Sequence, residues 1–428
     1  MTRKLFLFGR WLSVALACNL VYSIAFGSIS ASEPPPSRDL DRTVDTSIAR
    51  STTPAMRQIE NANTRLGLQV FSTLATDRPT ENAAFSPTSL SVLLGLLYRG
   101  ARSQTQTDMA FALGYAGLTP EEVDGYYDTL LTSFEALDSD YTLDLANAVW
   151  GQEGEAFDPT FLEIARTVYR ATLESIDFQQ ITIALEQIND WAAAATQNRI
   201  QNLLTPRDLD PPPVVVLTNA LYFFGGWTLP FDEDKTEQRS FALVDGGQIE
   251  HPIMFQENMF RSLQTDLFQA IELPYGDSER IVMYAFLPHE NKTLADFYRQ
   301  LTLENWNAWL ESFDSQYSRA IVVGFPRFRL DSDAQLNEAL QSAGLESIFR
   351  NDADFSNIVS DGFWIDLVKQ KIYVEVNERG TEAAAVTAII GTRAAPQRIV
   401  FDRPFFFAIC DTETQAILFL GTVVNPRS

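Results

Sequence analysis

The feature that most constrains this chain is a connection that lacks the composition of a loop. Between a strand-like run at 372–376 and another near Phe405 lies the stretch 377–396. Connections longer than about 12–15 residues inside a compact domain are normally functional or disordered. From Thr381 to Thr392 there is one charge, Glu382, and no proline. Val386, Thr387, Ile389 and Ile390 favour strand. At period two one face reads Thr381, Ala383, Ala385, Thr387 and Ile389, all small or β-branched, while Glu382 and Val386 fall on the other. Two readings stand. The run at 382–385 has good helix propensity and could form a short helix. Alternatively, the segment is a strand that is not yet in its sheet.

The chain has 428 residues, a net charge of −24 and 46% hydrophobic residues. That composition suits a globular protein with a sizeable core, and length alone allows about two or three domains. So acidic a surface argues against nucleic acid or anionic lipid as the main partner. The two cysteines, Cys18 and Cys410, exclude a disulfide framework. Cys410 sits in an apolar run and is expected to be an inert core thiol. The two histidines, His251 and His289, argue against a multi-histidine metal site. No G-x-S-x-G elbow, phosphate-binding loop or H-E-x-x-H motif is present, so neither a cofactor nor catalytic residues are expected. A serine–histidine pair would have to use His251 or His289, each expected at the surface or a strand end.

The amino terminus carries Arg3, Lys4 and Arg10, then an uncharged apolar run at 11–27 and the small residues Ser28, Ser30 and Ala31. That order predicts a secretory signal over 1–31. A retained anchor is the first alternative, since the run is at the short end of the spanning range. Lipidation at Cys18 is the second. Residues 32–55, with Pro34-Pro35-Pro36 and many Ser and Thr, read as a flexible tether. Export without disulfides fits a prokaryotic envelope, so the expected location is secreted or periplasmic. From Met56 onward no second linker appears. Helical spacing is seen at 56–75, 121–137, 158–169 and 185–204, and in a helix at 90–97 opened by Ser86-Pro87. Strand-like runs fall at 143–150, 214–224, 281–287, 320–325, 372–376, 405–409 and 417–421. Helices lead and strands follow, which is α+β.

Long motifs then occur in a familiar order. They are Asn82-Ala83-Ala84-Phe85-Ser86-Pro87-Thr88-Ser89, Ile188-Asn189-Asp190-Trp191, Thr218-Asn219-Ala220-Leu221-Tyr222-Phe223-Phe224-Gly225-Gly226-Trp227, Glu375-Val376-Asn377-Glu378-Arg379-Gly380-Thr381-Glu382-Ala383-Ala384-Ala385, and Phe401-Asp402-Arg403-Pro404-Phe405. In these the chain resembles the serpins, from about Met56 to Pro426. The resemblance implies one domain, 56–428, of three sheets and about nine helices, with an exposed reactive-centre loop at about 377–399. It also implies a monomeric suicide inhibitor of serine proteases, held in a metastable form. A protease attacks the loop, is acylated, and is carried along as the freed loop inserts into the main sheet.

By this resemblance Glu378, Gly380, Thr381, Glu382, Ala383, Ala384, Ala385 and Thr387 form the hinge. Its inward side chains must be small, as Thr381, Ala383, Ala385 and Thr387 are. Counting forward from Gly380 puts the reactive bond at Ala394-Ala395, and counting back from Pro404 puts it at Arg393-Ala394. Arg393 would select trypsin-like enzymes, and Ala394 elastase- or subtilisin-like ones. Ser86, Ser89, Asn219 and Gln370 match the polar gate under the sheet, and Trp227 the tryptophan at its top. Gln370 stands where many members have histidine, so it can bridge but cannot act as a protonation switch. Residues 121–137 hold Glu121, Glu122, Asp124, Asp128 and Glu135 and no Lys or Arg, so a heparin-type activator is not expected. A non-inhibitory serpin acting as a binding protein is the alternative, and loop-to-sheet polymers are the hazard.

Overall fold

Hydroxyl caps followed by proline set where the first helices begin. In this computed structural model, residues 53–138, 140–154, 156–360, 363–379 and 396–427 are described. The Thr53 hydroxyl accepts from the Met56 amide at the start of α1 (Pro54–Asp77). After a short strand β1 (Ala83–Phe85), Ser86 caps α2 (Pro87–Gly100) in the same way. α2 is buried almost all round, from Leu90 to Leu97, because it runs beneath the main sheet. α3 (Ser103–Ala112) and α4 (Pro120–Glu135) follow, the latter opened by a Thr119–Glu122 capping box.

The middle of the chain runs through β2 (Tyr141–Gln152), α5 (Pro159–Thr167), β3 (Thr172–Ile176), α6 (Ile181–Ala195) and β4 (Val215–Gly225). Then come β5 (Glu237–Ala242), β6 (Gln248–Phe260), β7 (Ser262–Gln264), β8 (Phe268–Pro274) and β9 (Ile281–Pro288). The last part holds α7 (Leu294–Tyr298), α8 (Leu303–Asp314), β10 (Arg319–Pro326), β11 (Phe328–Gln335), α9 (Asn337–Leu340), β12 (Leu367–Val376), β13 (Gln397–Val400), β14 (Phe405–Asp411) and β15 (Ile417–Val423). Among the described residues the strands form three sheets. A six-stranded sheet has the order β1-β15-β14-β9-β8-β7, a four-stranded one β13-β10-β6-β5, and a five-stranded one β11-β12-β4-β2-β3. From residue 53 onward the described residues group as one compact unit, so the length-based expectation of several domains fails.

The five-stranded sheet separates two apolar layers. One face packs on the core built around α2 and the six-stranded sheet, through Leu217, Leu221, Val368, Ile372 and Val374. The other face carries Ala148, Trp150, Ala220, Tyr222 and Tyr373 and is covered by α6 through Ala184, Ile188 and Ala192. Helical spacing suggested a helix to residue 204, yet α6 stops at Ala195. Gln197 and Asn198 adopt positive φ and break it, while Ile200, Leu203 and Leu204 stay buried as an irregular strap. The apolar spacing persists there because the strap still packs on the sheet. β11 was not anticipated, since Arg329, Asp331 and Asp333 alternate with its inward Phe328 and Leu330 and lower its strand propensity.

Candidate functional site: the seam of the five-stranded sheet

Two joins in this sheet are parallel, β2 with β3 at one edge and β12 with β4 in the interior. β12 pairs with β4 in parallel, from Leu367 opposite Val216 to Val374 opposite Phe223. On the outer sides β12 pairs antiparallel with β11, and β4 antiparallel with β2. A strand entering between β12 and β4 would therefore run antiparallel to both. β12 ends at Val376, where the chain leads into the segment 377–396. A hairpin reversal after β12 has the polarity that this seam requires.

Polar side chains cross the seam on its inner face. Asn147, Asn219 and Gln370 stand opposite one another on β2, β4 and β12, and all are buried. Gln370 Nε2 donates to Asn219 Oδ1 at 2.8 Å and to the Ser86 carbonyl at 3.2 Å, while Gln370 Oε1 accepts from the Ser86 amide at 2.7 Å. Asn219 Nδ2 in turn donates to Ser89 Oγ and Asn147 Oδ1. The capping end of α2 is thus tied to three strands at once. Asn147 belongs to this gate and was missed by sequence reasoning. The available signal was an amide in the middle of the apolar strand-like run at 143–150. Its Nδ2 has no hydrogen-bond partner, an unmet buried donor of the kind that costs stability.

The outer face of the seam is strapped by the segment after α6. Tyr222 and Tyr373 are register partners across the seam, with ring centroids 5.9 Å apart. The Arg199 guanidinium lies over both, 5.4 and 5.6 Å from their centroids. Lys369 is buried and pairs with Asp208 at 3.0 Å and Asp333 at 3.1 Å, and Lys371 donates to the Asn202 carbonyl. Burial pushes the Asp208 carboxyl up, but hydrogen bonds from Thr205 and Lys369 outweigh it and leave the group below its ordinary range.

At the top of the seam the chain is pinned just before the hinge. Trp227 is stacked on Tyr275 at 4.2 Å, and its indole N–H donates to the Asn377 carbonyl at 2.9 Å. The Glu378 carboxylate is buried and accepts from Arg327 Nε at 2.6 Å and from the Thr236 hydroxyl. The Glu378 carbonyl accepts from the Phe231 amide, and Arg379 Nε donates to Glu233 at 2.7 Å. His251, expected at the surface or a strand end, is instead buried within β6, its ring bonded to the Arg327 carbonyl at 2.6 Å. His289 does lie just past the end of β9.

Ser86, Ser89, Asn219 and Gln370 thus meet beneath the seam, and Trp227 and Glu378 sit at its upper end. Gly380, Thr381, Glu382, Ala383, Ala384, Ala385, Thr387, Arg393, Ala394 and Ala395 lie outside the described residues, as do the amino-terminal signal, Cys18 and most of the tether. Cys410 is buried, and burial pushes its thiol well up. The acids of α4 are largely engaged. Arg99 pairs with Glu121 and Asp124, and Arg170 with Asp128 and Glu135.

The serpin (serine protease inhibitor) family model matches residues 61–426. Serpin B6 of Macaca fascicularis is 33% identical over 381 residues, covering 87% of this chain and 100% of its own. The leukocyte elastase inhibitor of Sus scrofa is 32% identical over 382 residues, with the same coverage of 87% and 100%. Among solved structures, native protease nexin-1 with heparin superposes with a TM-score of 0.80 at 26% identity, covering 87% of this chain and 100% of that one. Human thyroxine-binding globulin in complex with its hormone gives 0.79 at 26% identity, covering 87% and 99%. Both curated relatives come from animals, which lends no support to a prokaryotic type. Fold, motif order and these matches agree: the chain belongs to the serpin family of protease inhibitors.

Proposed function

We propose that the protein is a suicide inhibitor of serine endopeptidases that works by inserting its own loop into the β4–β12 seam. The observation that carries this reading is the parallel join at the exit of β12. It offers a slot of the right polarity, in a chain whose next residues are strand-like and small. The protease serine would attack the carbonyl carbon of Arg393 or Ala394. The amine of the next residue leaves, and an ester joins enzyme and inhibitor. Insertion then removes the enzyme's machinery from that ester before water completes the cycle.

The energetics are sufficient. Opening the seam breaks one ladder, and an inserted strand makes two. The net gain is roughly one ladder, about eight hydrogen bonds of about 1 kcal/mol each. Burial of the small inward side chains adds a few kcal/mol. The sum is comparable to the roughly 5–15 kcal/mol that holds a protease domain folded.

Cleavage after Arg393 makes the target trypsin-like, and cleavage after Ala394 makes it elastase- or subtilisin-like. The leader supports export, to a secreted or envelope location. The acidic, arginine-paired surface of α4 supports inhibition without a heparin-type activator, in contrast to the heparin bound to the protease nexin-1 neighbour. A binding protein without inhibition is the second reading. It is favoured by a groove of about 930 Å³ between α1, α7 and α8, and a structural neighbour does hold thyroxine. Incubation with trypsin and with elastase separates the two. The inhibitor gives a 1:1 complex that survives SDS, whereas a substrate-like binding protein gives only cleaved chain.

A further inference from the structure

The anchor that holds the chain just after β12 is itself held from a neighbouring sheet. Arg327, at the corner between β10 and β11, donates to the buried Glu378 carboxylate. Strand β6 fixes the backbone of Arg327 twice. The Arg327 amide donates to the Pro252 carbonyl at 3.2 Å, and the His251 ring bonds the Arg327 carbonyl at 2.6 Å. His251 is only 6% exposed, yet a cleft of about 550 Å³ opens beside it, walled also by Arg327, Glu378 and Pro426. The charges facing the ring are mostly positive. Arg239 stands opposite His251 on β5 and pairs with Glu237. Arg327 comes from the β10–β11 corner, and Arg427 from the carboxy-terminal segment, where it donates to the Glu250 carbonyl. Across the cleft Arg379 pairs with Glu233, Arg329 lies over Tyr373, and Glu375 accepts from the Tyr373 hydroxyl. Glu378 is engaged by Arg327 and Thr236, and among the described residues no carboxylate bonds the His251 ring.

We propose that His251 is an acid-sensing latch on this anchor: its protonation loosens the Arg327 corner, releases Glu378 and shortens the life of the uncut form. The consequence for that lifetime rests on the inhibitory reading above. A carbonyl only accepts, so the neutral ring donates Nε2–H to Arg327 and leaves Nδ1 bare. A proton added at Nδ1 keeps the donor but creates a poorly solvated cation beside two arginines. Moving the ring into the cleft relieves that cost and gives up the hold on the Arg327 backbone. Burial and the two arginines keep the imidazole below its ordinary value in the closed form, against the pull of the Arg327 carbonyl. In a loosened form, with the ring in water, the value returns to about 6.5. The loosened form therefore binds the proton more readily. At about one unit below that value, protonation favours loosening by at most about tenfold, and above about pH 7.5 it contributes almost nothing.

Exchange of the Phe231 amide, which donates to the Glu378 carbonyl, reads the anchor directly. It is followed in the full uncut chain at about pH 7.5 and about pH 5.5, corrected for intrinsic exchange, beside the half-life of inhibitory capacity at each pH. His289, the other histidine of the chain, bonds the Thr265 carbonyl away from this cleft and supplies the control. Opening at the anchor should rise several-fold, to about tenfold at most, on acidification of the parent and of His289→Gln. In His251→Gln, whose amide can still donate to the Arg327 carbonyl, the rise should stay under twofold. The half-life should shorten in parallel. Each protein is compared with itself across pH, so a general loss of stability does not imitate the result. An acid response of parental size in His251→Gln would overturn the latch, as would a parent whose anchor opens equally at both pH values. Absence of SDS-stable complexes with the unaltered chain at neutral pH is a different outcome. It removes the inhibitory reading, while exchange at Phe231 still decides the latch.

Discussion

Replacing Gln370 by alanine should weaken the uncut protein about twice as much as the loop-cleaved one. In the uncut form the side chain supplies the Ser86 amide with its acceptor and Asn219 Oδ1 with its donor. Removing it leaves both groups buried and unpaired. Each such group costs about 1–3 kcal/mol, and water entering the space left behind moves the cost toward the lower end. A loss of about 2–4 kcal/mol follows for the uncut form. At about 2–4 °C per kcal/mol for domains of 150–250 residues, and somewhat less for a larger one, the melting point should fall by roughly 5 °C. Insertion of a strand moves β4 and β12 from about 4.8 Å to roughly 9.6 Å apart. The Gln370–Asn219 bond is then already gone in the parent, so the cleaved form should lose about half as much. Differential scanning fluorimetry of both proteins, before and after loop cleavage, reads this directly. Equal losses in the two forms would mean that Gln370 does not span a seam that opens.

Other perturbations probe the remaining contacts. Arg327→Ala leaves the buried Glu378 carboxylate with the Thr236 hydroxyl and, because the arginine is itself part-exposed, should cost about 1–3 kcal/mol; faster polymer formation on mild heating, followed by native gels, is the expected readout. Arg199→Ala removes the guanidinium that lies over Tyr222 and Tyr373, so spontaneous insertion should speed up several-fold, as monitored by loss of inhibitory activity at constant temperature. Thr381→Arg should convert inhibitor into substrate, with cleaved chain and no SDS-stable complex. Burial holds the His251 imidazole below its ordinary value, with Arg427 and Arg327 acting the same way and the bond to the Arg327 carbonyl opposing. The unfolded chain therefore binds the proton more readily below about pH 6.5, and stability should fall as pH drops through that value. His251→Gln should flatten that part of the pH dependence in denaturant melts.

Much of the account was legible in the residues because the gate is built from local signals. Ser86-Pro87 announces a capped helix, and its serine doubles as a gate residue. Thr218-Asn219-Ala220 places an amide in an otherwise apolar strand. The strand-like hinge stands out by composition alone. What could not be read is what depends on register between distant strands. Asn147 joins the gate only because β2 aligns it opposite Asn219, across a sequence separation that no periodicity reveals. The parallel join of β4 and β12 is likewise a property of topology. Lys369 looks like a solvated charge in sequence, yet it is buried because Asp208 and Asp333 arrive from two other segments. The helix expected to residue 204 failed for a related reason, since burial of Leu203 and Leu204 imitates helical spacing without a helical backbone.

Amide hydrogen exchange before and after a single cut at the candidate reactive bond tests the central claim most directly. Insertion predicts that the amides of 381–392 pass from fast exchange to the protection of a central strand, with Asn219 and Gln370 still protected on either side. Continued fast exchange across 381–392 in the cut protein would contradict the account.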